Sequence, residues 1–446
     1  MKKIDLLKDD LRKIFLRYLI PGVLSSIAVS LYVFVDTMFV GVGVGRDGLT
    51  ALNIAVPLFT VFASIILCIG IGGSNILSIE REKGEGHNSN KIFTSAVLFA
   101  FIVGIIVSIL GVIFVDSIGK FLGTTPEIQP LFREYFTILV GFTWAFLLSG
   151  VLGCFIRNDK NPKIVMMATI FANLVNVVFD YVFIFKFNWG MKGAVIATVM
   201  SPIVNLCVLL THFKTKGNTL KLVGLGINFK IIKKVLVNGF GTFILEFCRG
   251  ISIFLFNKVL VTIGGNIYVA AYGIILNVSY VIVCIFSGIA QCIQPIVSSN
   301  FGANKFSRCK KTFLYGFSTS VIFSLISYVL IFTFSKNISS IFTKSWDFEL
   351  INITSMGMKL YFIGCIFMSF NIVTIYFFQS INQSVKSMIM SLCSTVVFII
   401  LGFLILVPKL NVTGVWLVFP FAEILGFCVC IIVIYKNIII NKKELI

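Results

Sequence analysis

The sequence predicts an all-α integral membrane protein, with twelve transmembrane helices in two six-helix lobes related by internal duplication. Of its 446 residues, 58% are hydrophobic and only 12% are charged, against about 25% charged residues in an ordinary soluble domain. Twelve apolar runs follow one another along the chain, and sequence features recur about 220 residues apart, as expected of a duplicated transporter. This composition excludes a soluble fold, and it excludes nucleic acid as the partner.

Each apolar run is long enough to cross about 30 Å of hydrocarbon as a helix that rises about 1.5 Å per residue. The approximate cores of the predicted spans are 14–41, 50–79, 92–116, 131–156, 163–186, 192–213, 235–263, 268–299, 312–334, 356–380, 387–407 and 413–435. The first run follows a basic stretch, but it is too long for a signal peptide and shows no small-residue cleavage motif. It is therefore expected to remain as the first span.

The distribution of basic residues predicts the orientation in the membrane. Loops on one side carry 26 of the 37 Lys and Arg residues, loops on the other side carry eight, and three lie within spans. Since Lys and Arg are enriched in cytoplasmic loops, both termini are expected in the cytoplasm and the protein in the cell membrane. The formal net charge of +19 follows from this topology and requires no acidic ligand.

A repeated segment divides the chain into halves. Residues 70–84 (GIGGSNILSIEREKG) and 288–302 (GIAQCIQPIVSSNFG) both open with Gly-Ile, close with Gly and lead from an apolar span into a loop. The predicted organisation is an N-terminal lobe over 1–213, a cytoplasmic linker over 214–234 and a C-terminal lobe over 235–446, with a substrate site in the cleft between the lobes. The glycines of the first segment are not followed by Lys-Ser/Thr, so they predict close helix packing and not a phosphate-binding loop.

Ionisable residues inside spans point to function, because a charge buried in lipid costs several kcal/mol. Away from the ends of the predicted spans, the acidic residues are Asp36, Asp180, Glu246 and Glu423. Counted from the outer span ends, Asp36, Asp180 and Thr198 share one depth of about 8–9 Å. Asn176 lies one helical turn before Asp180 on the same face. These oxygen atoms suit Na⁺ or proton exchange, and the alternative is a structural hydrogen-bond network between helices.

Three segments resemble the multidrug and toxic compound extrusion (MATE) family. They are Pro21-Gly22 followed by residues 35–41 (VDTMFVG), residues 157–163 (RNDKNPK) and residues 176–185 (NVVFDYVFIF). The resemblance, which extends over essentially the whole chain, implies an exporter of drugs or metabolites driven by inward movement of Na⁺ or H⁺. It also implies a cation site in the N-terminal lobe, formed by Asp36, Asn176, Asp180 and Thr198. Phe179 stands where the family usually has Leu, and family members differ in which lobe carries the coupling acids.

The acids of the C-terminal half have two interpretations each. Glu246 and Arg249 are three residues apart on one helix face, so they form either a structural ion pair or a contact for substrate or cation. Glu423 has no basic residue at helical spacing, so it is expected to face a cavity or to be protonated, in contact with substrate or proton.

The sequence therefore predicts a cation-coupled secondary antiporter, not an enzyme, that exports amphipathic, often cationic, small molecules by alternating access. No cofactor is expected, and the protein is expected to be a monomer surrounded by membrane lipids. There is no Walker motif for ATP, and His87 and His212 have no third ligand, so no metal is expected beyond Na⁺ at the four N-lobe residues. A lipid-linked sugar flippase is the first alternative, but it would favour more cationic residues in the cleft. An integral membrane transferase would need a catalytic His or an acidic loop cluster, and His87 and His212 both sit at loop ends.

Two prolines are expected to act as hinges. Pro21 in span one and Pro202 in span six each remove an intrahelical hydrogen bond, so a helix can bend there. Neutralising Asp36 and Asp180 would let their helices pack closer, bend span one and push substrate outward. Cation and substrate are then expected to compete indirectly.

Overall fold

The structure, a computed structural model, describes residues 5–82, 86–122, 124, 126–224, 226–342 and 348–440. Every regular element in this part of the chain is helical. The chain divides into two compact units, Met1–Phe243 and Ile244–Ile446. Unit 1 thus includes the predicted linker and the beginning of the helix that follows it.

In the described residues, unit 1 contains eight α-helices and the start of a ninth. They are α1 (Leu11–Gly43), α2 (Arg46–Glu82), α3 (Gly86–Ile113), α4 (Val115–Leu122), α5 (Gln129–Gly141), α6 (Thr143–Asn158), α7 (Pro162–Tyr181), α8 (Gly190–Leu210) and α9 (Phe229–Gly264). A π-helical turn, Val182–Lys186, extends α7, and a 3₁₀ turn, Thr211–Lys214, extends α8.

Unit 2 continues α9 and adds six further helices over its described range. They are α10 (Asn266–Gly302), α11 (Phe306–Ile341), α12 (Phe348–Tyr361), α13 (Gly364–Ser380), α14 (Ser384–Leu392) and α15 (Phe398–Ile440). A π-helical turn, Cys393–Val397, joins α14 to α15.

These helices account for the twelve predicted spans. Among the residues that the structure describes, nine helical stretches are long and apolar enough to cross a membrane on their own. Two bent pairs, α5 with α6 at 47° and α12 with α13 at 48°, supply two more. The longest stretch, Ser384–Lys436, breaks at Asn411, where φ is 49° and ψ is −130°, so it covers two of the predicted runs. The prediction of an all-α membrane fold is confirmed, and the count of twelve is consistent with these helices.

Local sequence explains where several helices begin and end. Asp10 accepts hydrogen bonds from two backbone amides of the first turn of α1 and so caps that helix. Asn161 caps α7, and Pro162 occupies its first position. A proline is tolerated there because the first amides of a helix have no helical carbonyl oxygen to bond to. Asn304 and Asn382 follow α10 and α13 with positive φ angles of 57° and 60°, the left-handed conformation that asparagine tolerates after a helix.

Helices α2 and α9 approach each other backbone to backbone within unit 1. A Cβ atom built on Gly72 would lie 2.3 Å from the Val235 carbonyl oxygen, and one built on Gly239 would lie 1.8 Å from the Cys68 carbonyl oxygen. A side chain at either position would force the two helices apart. The prediction of close helix packing for the glycines of residues 70–73 is therefore confirmed.

The predicted linker lies against α3 of unit 1. The amide of Lys221 donates a hydrogen bond to Asn90 Oδ1 at 3.1 Å, and the amide of Val223 donates to Thr94 Oγ1 at 2.9 Å. The last residues of the predicted linker are already helical, because α9 begins at Phe229. The division into lobes at residues 213 and 235 stays a prediction.

Candidate functional site

Helices α1, α5, α7 and α8 of unit 1 contribute to a cluster of buried polar side chains. Asp36 on α1 and Asp180 on α7 are adjacent, close enough for their carboxyl groups to share a hydrogen bond when one of them carries a proton. Asp36 is 8% exposed and Asp180 is fully buried. The structure thus brings together the two acids that the depth estimate placed at one level.

Helix α7 presents a polar stripe to this cluster. Asn173, Asn176 and Asp180 recur at three- and four-residue intervals, and all three are buried. Leu174 and Val178 lie between them in sequence and are more than half exposed. Because a helix turns once every 3.6 residues, α7 has a broad apolar side for lipid and a narrow polar side for the cluster.

Thr198 on α8 completes the set that the sequence predicts. It is 2% exposed, and its hydroxyl donates a hydrogen bond to the Ala194 carbonyl oxygen at 3.0 Å. Since the hydroxyl proton is used within the helix, the Thr198 oxygen keeps lone pairs that can accept a hydrogen bond or contact a cation.

Tyr135 on α5 belongs to the same cluster, and sequence reasoning missed it. Its side chain is fully buried, and its hydroxyl lies beside Thr198 and close to the carboxyl groups of Asp36 and Asp180. A phenol can donate a hydrogen bond to a charged carboxylate. The signal in the sequence was weak, because a tyrosine within an apolar run is ordinary and the span that contains α5 bends by 47°.

The cluster concentrates buried polar atoms without a hydrogen-bond partner among the described residues. These atoms are both Asp180 carboxylate oxygens, Asp36 Oδ1, the amide oxygen and nitrogen of Asn176, Asn173 Nδ2 and the Tyr135 hydroxyl. Each buried polar group left unpaired costs about 1–3 kcal/mol. Carboxylate, amide and hydroxyl oxygens are the atoms that hard cations prefer. The cluster therefore fits Na⁺ or a proton as a guest that would satisfy several of these atoms at once.

In unit 2, Glu246 and Arg249 of α9 form an ion pair. Arg249 Nη1 lies 2.9 Å from Glu246 Oε1 and 3.1 Å from Oε2, and the Arg249 and Glu246 side chains are 28% and 15% exposed. The pair carries no net charge, which is the arrangement that tolerates partial burial.

Glu423 on α15 is buried and contacts a residue that sequence reasoning missed. Asn371 Nδ2, on α13, lies 2.7 Å from Glu423 Oε2. In the described part of the chain, no basic side chain lies within 4.0 Å of the Glu423 carboxylate. The side chains near it include Tyr361, Cys365 and Cys430. Asn371 could not be found from spacing along one helix, because its partner lies on another.

Both halves of the chain match one family model. The model, MatE, covers residues 21–182 and, a second time, residues 242–404. The chain belongs to the MatE family. The two matched regions begin about 220 residues apart, so the internal duplication that the sequence repeat predicts is confirmed.

Relatives of this MatE protein extend over nearly all of its length. The chain is 21% identical over 444 residues to the multidrug export protein MepA of Staphylococcus saprophyticus, covering 98% of this chain and 97% of the relative. Several solved structures share the fold. An outward-facing multidrug resistance MATE family transporter is 21% identical, with a TM-score of 0.93 over 99% of each chain. A MATE crystallised in the bent conformation is 20% identical, with a TM-score of 0.90 over 99% of each chain. The predicted twelve-span, two-lobe fold is thereby confirmed.

The two prolines of this MatE chain that were predicted to act as hinges lie inside uninterrupted helices. Pro21 is buried in α1 and Pro202 is buried in α8. The hydroxyl of Ser25 donates a hydrogen bond at 2.7 Å to the carbonyl oxygen of Pro21, one turn earlier in α1. Their role as hinges stays a prediction.

A second buried polar network of the MatE chain lies where α2, α6 and α8 end. Asp159 accepts hydrogen bonds from Arg81 Nη1 at 2.9 Å, from His212 Nε2 at 2.8 Å, and from the backbone amide and hydroxyl of Thr219. Burial raises the pKa of the Asp159 carboxyl, but the bonds from His212 and Thr219 and the charge of Arg81 outweigh burial and hold the pKa below its usual value. His212 is fully buried and also contacts Asn161. Within the described residues no three metal-ligating side chains come together, and His212 serves this network.

Proposed function

We propose that this MatE protein is a cation-coupled secondary antiporter that exports amphipathic, often cationic, small molecules across the cell membrane. The descriptions of the relatives as multidrug export and multidrug resistance proteins support this substrate class. The observation that carries the proposal is the buried cluster of unpaired polar atoms around Asp36 and Asp180. An ion that drives transport has to bind inside the membrane, and buried acids without basic partners mark such sites.

The proposed coupling site consists of Asp36, Asn176, Asp180 and Thr198, with Tyr135 as a further contact. No basic side chain in the described ranges lies within 4.0 Å of Asp36 or Asp180. Two adjacent carboxylates repel each other when both are charged, and H⁺ or Na⁺ removes that repulsion. Entry of the ion would then let α1 and α7, which already pack together, approach further.

The proposed link from ion entry to export is bending of α1 at Pro21 and of α8 at Pro202. A proline leaves one helical carbonyl without its partner, so little is lost when the helix bends there. A bend in α1 would narrow the space open to a bulky substrate while the ion occupies the cluster. The crystallisation of a related MATE in a bent conformation supports a bending element in this fold.

In unit 2 we assign Glu423 to proton exchange or to contact with a cationic substrate. The Glu246–Arg249 pair would shape the substrate path without adding net charge. Residues 1–213 and 235–446 would rock as lobes, with a monomer as the transporting unit and both termini in the cytoplasm. The duplication favours the two lobes, and the loop charges favour the orientation.

Transport by the full-length protein in proteoliposomes tests the proposal. A gradient of Na⁺ or H⁺ opposed to dye movement should drive a fluorescent cationic dye out of the compartment in which it is loaded. Asp180→Asn should abolish this movement, because the amide keeps the volume but cannot carry the charge. Asp116→Asn is the matched control, since that carboxylate is half exposed on α4, and it should transport like wild type.

Two outcomes would contradict different parts of the proposal. Gradient-driven dye movement at the wild-type rate in Asp180→Asn would show that the cluster is not the coupling site. Dye movement by wild type that responds to neither gradient would exclude cation-coupled antiport itself.

A further inference from the structure

We propose that a groove between α11 and α12 of unit 2 binds the headgroup of an anionic phospholipid. The groove has a volume of about 430 Å³, and Lys336 and Lys359 both line it. None of the acidic residues discussed above lines it, and the inference does not depend on the proposed antiport.

Among the residues that the structure describes, no acidic side chain neutralises the charge of the two lysines of the groove. No carboxylate among the described residues lies within 4.0 Å of either ammonium group. The Lys359 ammonium instead lies 5.0 Å from the centroid of the Phe332 ring, a cation–π contact. Two cations that share one groove favour an anion between them.

Both lysines lie within helices and not in a loop. Lys336 is about 8 Å from the C-terminal end of α11, and Lys359 is about 17 Å from the N-terminal end of α12, at about 1.5 Å per residue. A basic side chain at this depth reaches towards the membrane surface or pairs with an anion. Under the topology predicted from the loop charges, this end of unit 2 belongs to the outer leaflet.

The groove opens onto an apolar surface. α11 packs against α10, α12 and α13, which all belong to unit 2. The exposed apolar side chains along α11 include Ile322, Leu325, Ile326, Val329, Leu330 and Phe334. A continuous apolar strip on a membrane helix faces lipid acyl chains. The groove can therefore be reached from the bilayer.

The lining of the groove fits an amphipathic anion. Phe332 and Met356 are half exposed, and they and Leu360 form an apolar wall beside the two ammonium groups. Asn352 also lines the groove and is exposed, so its amide can donate a hydrogen bond to a phosphate oxygen. A soluble anion would leave the apolar wall unused, and a zwitterionic lipid would bring its own cation close to the lysines. A phosphatidylglycerol-like lipid uses both parts of the groove.

Native mass spectrometry of the full-length protein tests this site. The purified protein is titrated with phosphatidylglycerol and, separately, with phosphatidylcholine, and retained lipids are counted. Wild type should retain one phosphatidylglycerol at least about tenfold more tightly than phosphatidylcholine, from the attraction of two lysines. The double variant K336Q/K359Q should lose this preference, and K336R/K359R should keep it. The control K186Q/K192Q removes two exposed lysines of unit 1 and should behave like wild type.

Three results would overturn the proposal. Wild type could retain both lipids equally, or K336Q/K359Q could keep the preference for phosphatidylglycerol. Inorganic phosphate could displace phosphatidylglycerol at equal concentration, which would identify a site for a free anion. If K336Q/K359Q does not fold, the single variants Lys336→Gln and Lys359→Gln decide the matter, since each should lose part of the preference.

Discussion

Asn371 and Glu423 are joined across two helices of unit 2 by one amide group. Asn371 Nδ2 donates to the Glu423 carboxylate at 2.7 Å and to the Glu423 backbone carbonyl oxygen at 3.0 Å. Because a backbone carbonyl only accepts, the nitrogen of the amide and not its oxygen faces Glu423. The orientation of this buried acid is therefore set by a neutral donor.

Removing that donor should destabilise the protein. Asn371→Ala leaves the buried Glu423 carboxyl without its partner, at an expected cost of about 1–3 kcal/mol. Glu423→Gln should unfold close to the wild-type temperature, because the Gln carbonyl oxygen can still accept the hydrogen bond. Thermal unfolding in detergent measures both, with Asn277→Ala as the control at an exposed asparagine whose amide bonds only within its own helix. Equal stability of Asn371→Ala and wild type would show that the bond contributes nothing.

Asp159 should make stability depend on pH in the acid range. Its pKa in the folded protein lies below the usual value of 3.8, so its ionised form stabilises the fold above that pH. This contribution is lost as the pH falls through the folded-state pKa. Asp159→Asn should therefore cost about 3 kcal/mol from pH 5 to pH 8, because a buried ion pair loses one partner.

The pH dependence separates this account of Asp159 from a simple packing defect. The difference in unfolding temperature between wild type and Asp159→Asn should begin to shrink below about pH 4, because the carboxyl of the unfolded chain takes up a proton there while the folded carboxyl is still charged. A difference that stays constant down to pH 3 would assign the loss to shape and not to charge. Asp116→Asn, at a half-exposed site, serves as the control.

The sequence predicts the elements of this protein far better than the contacts between them. Run length gives the spans, and loop charges suggest the orientation, because both depend only on the bilayer. Depth along single helices was enough to bring Asp36 and Asp180 to one level. The roles of Tyr135 and Asn371 in the polar sites were not predicted, because periodicity shows which side of a helix is polar but not which other helix that side contacts.

Loop residues were the other weak point. His212 was expected at a loop end, outside any metal site, yet it is fully buried against Asp159. Its burial depends on the segment around Thr219 folding back, and a polar, basic segment carries no periodic pattern that predicts such a path. Hydrogen bonds from backbone amides to side chains, such as Val223 to Thr94, hold that segment in place and leave no trace in composition.

The close approach of α2 and α9 gives a further prediction. Gly239→Ala would place a methyl group 1.8 Å from the Cys68 carbonyl oxygen, so the helices must separate. The expected cost exceeds the roughly 1–3 kcal/mol of ordinary overpacking, because backbone and not a flexible side chain has to move. Gly217→Ala meets nothing within 4 Å and should stay within about 0.5 kcal/mol of wild type. Thermal unfolding followed by size-exclusion chromatography compares the two, and similar melting temperatures would refute the contact.

The proposed coupling makes a prediction about binding that does not need transport. Asp36, Asp180 and Thr198 are buried within unit 1, each at most 8% exposed, so a bulky dye would have to part these helices to touch them. If ion and substrate compete, they must do so through the shape of α1 and not through a shared contact. By linkage, an ion that weakens substrate binding by some factor is itself weakened by the substrate by the same factor. Substrate affinity of the detergent-solubilised protein should therefore fall as Na⁺ or H⁺ rises.

Two variants on α1 distinguish the role of the ion site at Asp36 from the role of the proposed bend at Pro21. Asp36→Asn should bind substrate with an affinity that no longer changes with either ion, because the charge that the ion neutralises is gone. Pro21→Ala keeps both acids but restores a regular helix, so ion binding should persist while its effect on substrate affinity is reduced. Fluorescence polarisation of the dye, measured at several Na⁺ concentrations and pH values, gives the substrate affinity and its dependence on each ion. Wild-type affinity that ignores both ions would rule the mechanism out, and a full ion effect in Pro21→Ala would move the bend to another position.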